Sequence, residues 1–162
     1  MDPLRRMFEH HRWATLVLID HLAALPPETL RLELPGTRGD IGTTMAHIVG
    51  ADARYLARLE GTFEAGSGPA PIDEGLPLAE LRSRFERQAQ TWLDLVPRAA
   101  ELDVFLAARG DWPDTPHAED LMFLQAIHHG NDHRTHICSI LGAAGIEPPE
   151  IDGWSYWAAT QF

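Results

Sequence analysis

The chain has 162 residues, 44% of them hydrophobic, which is enough to bury one core and short for two, so a single domain over 1–162 is expected. Thirteen Lys and Arg against twenty-four Asp and Glu leave a formal charge of -11. Arg5, Arg6, Arg12, Arg82, Arg84 and Arg87 lie scattered among acids rather than in a run, so a phosphate backbone meets net repulsion and a nucleic-acid partner is excluded.

The lone cysteine, Cys138, excludes an internal disulfide, fits a reducing compartment, and reads as a small buried hydrophobe rather than a reactive thiol. No apolar run approaches the ~18 residues of a membrane span, and the amino terminus is charged where a secretory signal is greasy. A cytoplasmic protein with no membrane partner is the expectation.

Leu4, Met7, Phe8, His11, Thr15, Leu18, Leu22 and Leu25 recur at helical spacing and predict a first helix over roughly 3–25, with Pro3 tolerated in its first turn and Pro26-Pro27 ending it. Asp40 is placed to cap a second helix with Thr44, Ile48, Ala51, Tyr55 and Leu59 on its inward face and Gly61 at its end. Residues 61–77 are dense in Gly and Pro and predict a long loop, after which Leu78, Leu81, Phe85, Ala89, Trp92 and Val96 mark a third helix up to Pro97. The stretch 98–114 reads as an irregular or short extended crossover.

Thr115-Pro116 offers a start for a fourth helix that runs to about Ala144 and stops at Gly145. Met122, Gln125, His129, His133, His136 and Ile140 form one stripe along it. The tail carries Trp154, Tyr156 and Trp157, enough aromatic area to dock as a short final helix. Four long amphipathic helices with two long connections describe an all-α four-helix bundle.

The chemistry concentrates in the histidines. His129 and His133 are spaced i, i+4, so on a helix their imidazoles share a face and reach one point in space. A lone histidine on an apolar face is more often a satisfied core residue than a ligand, but a pair pressed among Ile127, Ile137, Ile140 and Leu141 needs partners for its nitrogens, and a divalent cation supplies them. A third ligand must come from a neighbouring helix: His47 is the first candidate, and His11, on the stripe of the first helix, the next. His136, at i+3 from His133, is placed to complete a ligand set or to act as a base beside it, whereas His10, His21, His117 and His128 read as surface residues. Zinc, nickel and ferrous iron all accept neutral imidazole, and three such ligands leave a position open for water or substrate. There is no C-x-x-C-H haem motif, no Gly-rich phosphate loop, no Glu-x-x-His pair of a di-iron centre and no H-E-x-x-H.

These residues resemble the DinB/YfiT-like family of metal-dependent helical-bundle proteins over nearly the whole chain. The likeness rests on AHIVGADARYLARLEG in the second helix and on His129-Gly130-Asn131-Asp132-His133-Arg134-Thr135-His136 in the fourth, where the family pattern is H-x-x-x-H-R-G-Q; Thr135 and His136 replace its Gly and Gln. The resemblance implies a four-helix bundle, often a homodimer, with a three-histidine site that maps onto His47, His129 and His133. It further implies thiol chemistry: transfer of a low-molecular-weight thiol to a small electrophile, or thiol-dependent isomerisation, with His136 or His11 handling a proton or a leaving group. The rival readings are hydrolysis of a small substrate by a metal-activated water, and a non-enzymatic stress protein that binds a metal or small ligand.

Overall fold

The computed structural model describes residues 2–60, 75–101, 105–106, 117–118 and 120–161. Helix α1 spans Pro3–Ala23, α2 Ile41–Leu59, α3 Leu78–Leu95, α4 Asp120–Ala143 and α5 Gly153–Thr160. Short 3-10 turns cover Pro27–Arg31 and Val96–Glu101. Two two-residue strands, β1 Phe105–Leu106 and β2 His117–Ala118, pair antiparallel. The expected all-α bundle is thus observed, with this small ladder added in the crossover before α4.

Local chemistry sets the helix ends. Asp2 accepts a hydrogen bond from the Leu4 amide (3.0 Å), Asp40 from the Thr43 amide (2.7 Å) and Asp152 from the Ser155 amide (2.8 Å), each satisfying a donor that the helix cannot satisfy internally. At the far end of α4, Gly145 takes a positive φ of 75°, and the amide of Ile146 reaches back to the Leu141 carbonyl at 3.0 Å. That reversal closes the helix and tucks Ile146 against the core. The expected start at Thr115-Pro116 is corrected: α4 begins at Asp120, because His117–Ala118 pairs with β1 instead of joining the helix. Thr115 and Pro116 lie outside the described residues, as do Gly61, the loop up to residue 74, and the turn-rich 109–114.

The helices pack in the cyclic order α1, α3, α2, α4, so α1 and α2 lie across a diagonal. Two apolar clusters fill the interior. One gathers Leu18, Leu22, Ile41, Met45, Ile48, Phe85, Ile137 and Ile140; the other gathers Phe8, Tyr55, Leu56, Trp92, Met122 and Phe123. His11 lies between them, its ring against Phe8 of one and Phe85 of the other (centroids 6.2 and 5.4 Å).

The aromatic tail forms the expected short final helix. Tyr156 docks, with His10 and Trp13 rings each 5.6 Å away, but Trp154 and Trp157 keep 83% and 51% of their surface exposed. At eight residues α5 turns only one face to α1, and that face carries Tyr156. His10, expected on the surface, is partly buried there, with Nε2 2.9 Å from the Ile151 carbonyl. No helix among the described residues is long and apolar enough to cross a membrane.

Candidate metal centre

His47 sits on α2 and His129 and His133 on successive turns of α4, the helix that packs beside it. Their rings form a triangle with centroid separations of 4.7, 4.8 and 4.4 Å, and one nitrogen from each lies within 4.8 Å of the others. Nε2 of His47 and Nε2 of His129 are 2.9 Å apart. Nitrogens bound at about 2.0–2.1 Å to a common ion stand roughly 2.9–3.4 Å apart, from right-angled to tetrahedral arrangements, so this pair already has ligand spacing. Among the described residues these three form the one group of at least three His, Cys, Asp or Glu side chains with converging donor atoms.

The donor chemistry also fits a cation. Burial, reinforced by the Arg38 charge, pushes the His47 imidazole down to about 3; burial and the neighbouring His133 push His129 to about 4. His133 is lowered in the same direction, first by burial and then by His136. All three therefore keep their lone pairs at neutral pH, the form in which imidazole binds metal. Nδ1 of His129 is buried without a hydrogen-bond partner among the described residues, while Nε2 is the atom turned to the cluster. All three rings are only partly buried, so the cluster can be reached from solvent. Three nearby histidines that could hold a metal ion are thus present.

His136 lies one step outside this triangle, its Nδ1 3.3 Å from Nδ1 of His133. His11 is elsewhere. It is 1% exposed, with Nδ1 2.9 Å from a guanidinium nitrogen of Arg134 and Nε2 3.0 Å from Oδ2 of Asp52. Arginine only donates, so His11 Nδ1 must accept, and its proton sits on Nε2, donated to Asp52. With both nitrogens engaged, His11 ties three helices together inside the core and does not face the cluster.

Sequence reasoning missed the rest of this layer. Asp52 also accepts from Nε1 of Trp92 (3.3 Å), and Arg134 also donates to the Thr15 hydroxyl (2.9 Å). Burial brings the Arg134 guanidinium down to about 10, still charged at neutral pH, so Asp52 and Arg134 are an anion and a cation joined through a neutral imidazole. The available signal was Asp52 itself, a carboxylate on the same stripe of α2 as Ile41, Met45, Ile48 and Tyr55. The layer lies directly beneath the cluster: Gly130 separates His129 from His133's turn, and a Cβ there would run into the His11 ring.

The model of the DinB family matches residues 1–161 of the chain. The solved structure of a DinB-like protein from Bacillus cereus ATCC 10987 superposes with a TM-score of 0.62, covering 87% of this chain and 90% of that one at 18% identity, a likeness of fold alone. Comparison with curated proteins gives no match. With the bundle, the histidine triangle and the family model in agreement over the chain, the protein belongs to the DinB family.

Proposed function

We propose that His47, His129 and His133 hold a divalent metal, zinc or nickel before iron, at which a low-molecular-weight thiol is activated and transferred to a small electrophile. The observation that carries this reading is the convergence of three neutral imidazoles, two of them at ligand spacing, on a face open to solvent. A divalent ion in such a triangle favours a thiolate at neutral pH, where a free thiol with a pKa of about 8.5 is mostly protonated.

The chain's own thiol is a poor nucleophile. Cys138 is partly buried against the apolar cluster and burial pushes its pKa up, so the reacting sulfur is supplied from outside. In the transfer, the sulfur forms a bond to the electrophilic carbon, the leaving group departs with the electron pair of the bond that breaks, and the thiol proton must be taken up. His136, in contact with His133 yet outside the triangle, is the imidazole we assign to receive it. A homodimer in the cytoplasm completes the proposal; the exposed Trp154 and Trp157 support a second copy covering the tail.

The test is conjugation of monochlorobimane by metal-loaded protein with glutathione, bacillithiol or mycothiol. The proposal expects a rate above background that needs both metal and thiol and is lost on mutation of any triangle histidine. No rate with any of the three thiols would refute the transferase reading.

A further inference from the structure

The histidine triangle sits over a layer of buried polar side chains that the chemistry proposed above does not use. On α4, Gly130 and Arg134 repeat the i, i+4 spacing of His129 and His133 one residue on, so they occupy the same two turns about 100° round the helix. Arg134 turns one guanidinium nitrogen to two successive turns of α1, to Nδ1 of His11 and to the Thr15 hydroxyl, both at 2.9 Å. Gly130 leaves room for the His11 ring against the backbone of α4, where a Cβ would collide with it. Asp52, five residues after His47 on α2, holds the other end: its Oδ2 accepts from Nε2 of His11 at 3.0 Å and from Nε1 of Trp92 on α3 at 3.3 Å. Both helices that carry the triangle are thus bonded to α1 close to their histidines.

Stability does not account for this layer. His11, Thr15, Asp52, Trp92 and Arg134 are each at most 2% exposed. At that depth the hydration lost by an anion and a cation rivals the attraction gained, and apolar side chains of like volume often serve stability as well or better. Oδ1 of Asp52 has no hydrogen-bond partner among the described residues, a further cost. What polar contacts supply and apolar ones do not is direction: hydrogen bonds fix lengths and angles, whereas apolar cores can repack and stay stable while losing a unique arrangement. The triangle needs that direction. Rotating α4 by about 20° carries a side-chain tip at roughly 6 Å from the axis through about 2 Å, a whole metal–nitrogen bond.

Resting on the metal reading above, we infer that Arg134, His11 and Asp52 are positioning residues for the metal: by locking the rotation and height of α4 against α1 and α2, they hold His129 and His133 where His47 meets them. None of the three is a ligand; they act through the helices that carry the ligands. The paired bonds from Arg134 to His11 and Thr15 set the height of α4 on α1. The bond from His11 to Asp52 sets the spacing to α2 across the diagonal of the bundle.

The experiment sets stability against metal binding, with cobalt(II) as the probe: urea midpoints of the metal-free protein, cobalt affinity, and the visible cobalt spectrum, which reports ligand geometry. In Asp52→Leu/His11→Leu/Arg134→Met an apolar layer replaces the polar one. Its urea midpoint should be kept or raised, while cobalt binds about 10–100-fold more weakly and with an altered spectrum. Asp52→Asn keeps an oxygen to accept from His11 and Trp92 but strands the Arg134 charge, so its midpoint should fall while cobalt affinity and spectrum stay close to the parent's. A merely structural layer would move stability and metal affinity together. Gly130→Ala, which keeps every group of the layer and displaces it, serves where the apolar layer does not fold: its cobalt affinity should fall about tenfold with all three imidazoles in place. Parent-like cobalt binding in the folded apolar variant, or in Gly130→Ala where that variant does not fold, overturns this inference and leaves the metal reading intact. Cobalt affinity that falls along with the midpoint in Asp52→Asn overturns it too. Parent protein that takes up no cobalt overturns both.

Discussion

Gly130→Ala isolates the buried layer beneath the histidines. In an exposed helix interior this change stabilises by about 1 kcal/mol, because alanine is the better helix former. At position 130 the added Cβ collides with Cε1 of His11 and falls 2.8 Å from its Nδ1 and 3.0 Å from an Arg134 guanidinium nitrogen. His11 cannot give way easily, since its neighbours are the packed rings of Phe8 and Phe85. Overpacking of this kind costs about 1–3 kcal/mol, and moving His11 off Asp52 and Arg134 leaves buried polar groups without their partner, at about 1–3 kcal/mol each. The net expectation is a loss of about 2–4 kcal/mol, or a fall in Tm of roughly 5–15 °C for a chain of this size.

Urea and thermal unfolding of Gly130→Ala, His11→Ala and the double variant provide the assay. With the imidazole gone the collision vanishes, so Gly130→Ala should become neutral or mildly stabilising on the His11→Ala background, a coupling of at least about 2 kcal/mol. A Gly130→Ala protein as stable as the parent, or strictly additive variants, would refute the reasoning.

His133→Ala should remove most bound metal while leaving helical circular dichroism largely intact, since both apolar clusters survive; His136→Gln, which restores the family residue, should retain the metal. Acid should destabilise the metal-free protein in a defined window. His47 and His129 titrate near 3 and 4 when folded but near 6.5 when unfolded, so between those values the unfolded chain binds more protons and stability rises with pH. The contribution is complete above about pH 6.5 and is lost as pH falls toward 4; urea midpoints at pH 5 and 7.5 should differ, and the difference should shrink in a His47→Gln/His129→Gln variant. Light scattering at micromolar concentration should give a dimer, about twice the 18.0 kDa of one chain, and Trp154→Ala/Trp157→Ala should weaken it.

Much of the bundle was legible because its signals are local. Asp40 and its cap, the apolar stripes of α1 to α3, and Gly145 all act within one or two turns. The start of α4 was not, because Thr115-Pro116 is a good local cap, whereas pairing of His117–Ala118 with Phe105–Leu106 is decided across the chain. The same division runs through the site. The i, i+4 spacing of His129 and His133 is local and pointed to a shared face, with His47 as its partner. The role of His11 depends on Asp52, 41 residues away, and on Arg134, 123 residues away, contacts that no periodicity encodes.

The most direct measurement is the metal content of protein purified without added metal, joined to X-ray absorption of the bound ion. The account predicts one divalent ion per chain with imidazole nitrogens at about 2.0–2.1 Å, and its loss in His47→Ala, His129→Ala and His133→Ala alike. Protein that binds no divalent ion, or that keeps its ion when His47 is removed, would contradict it.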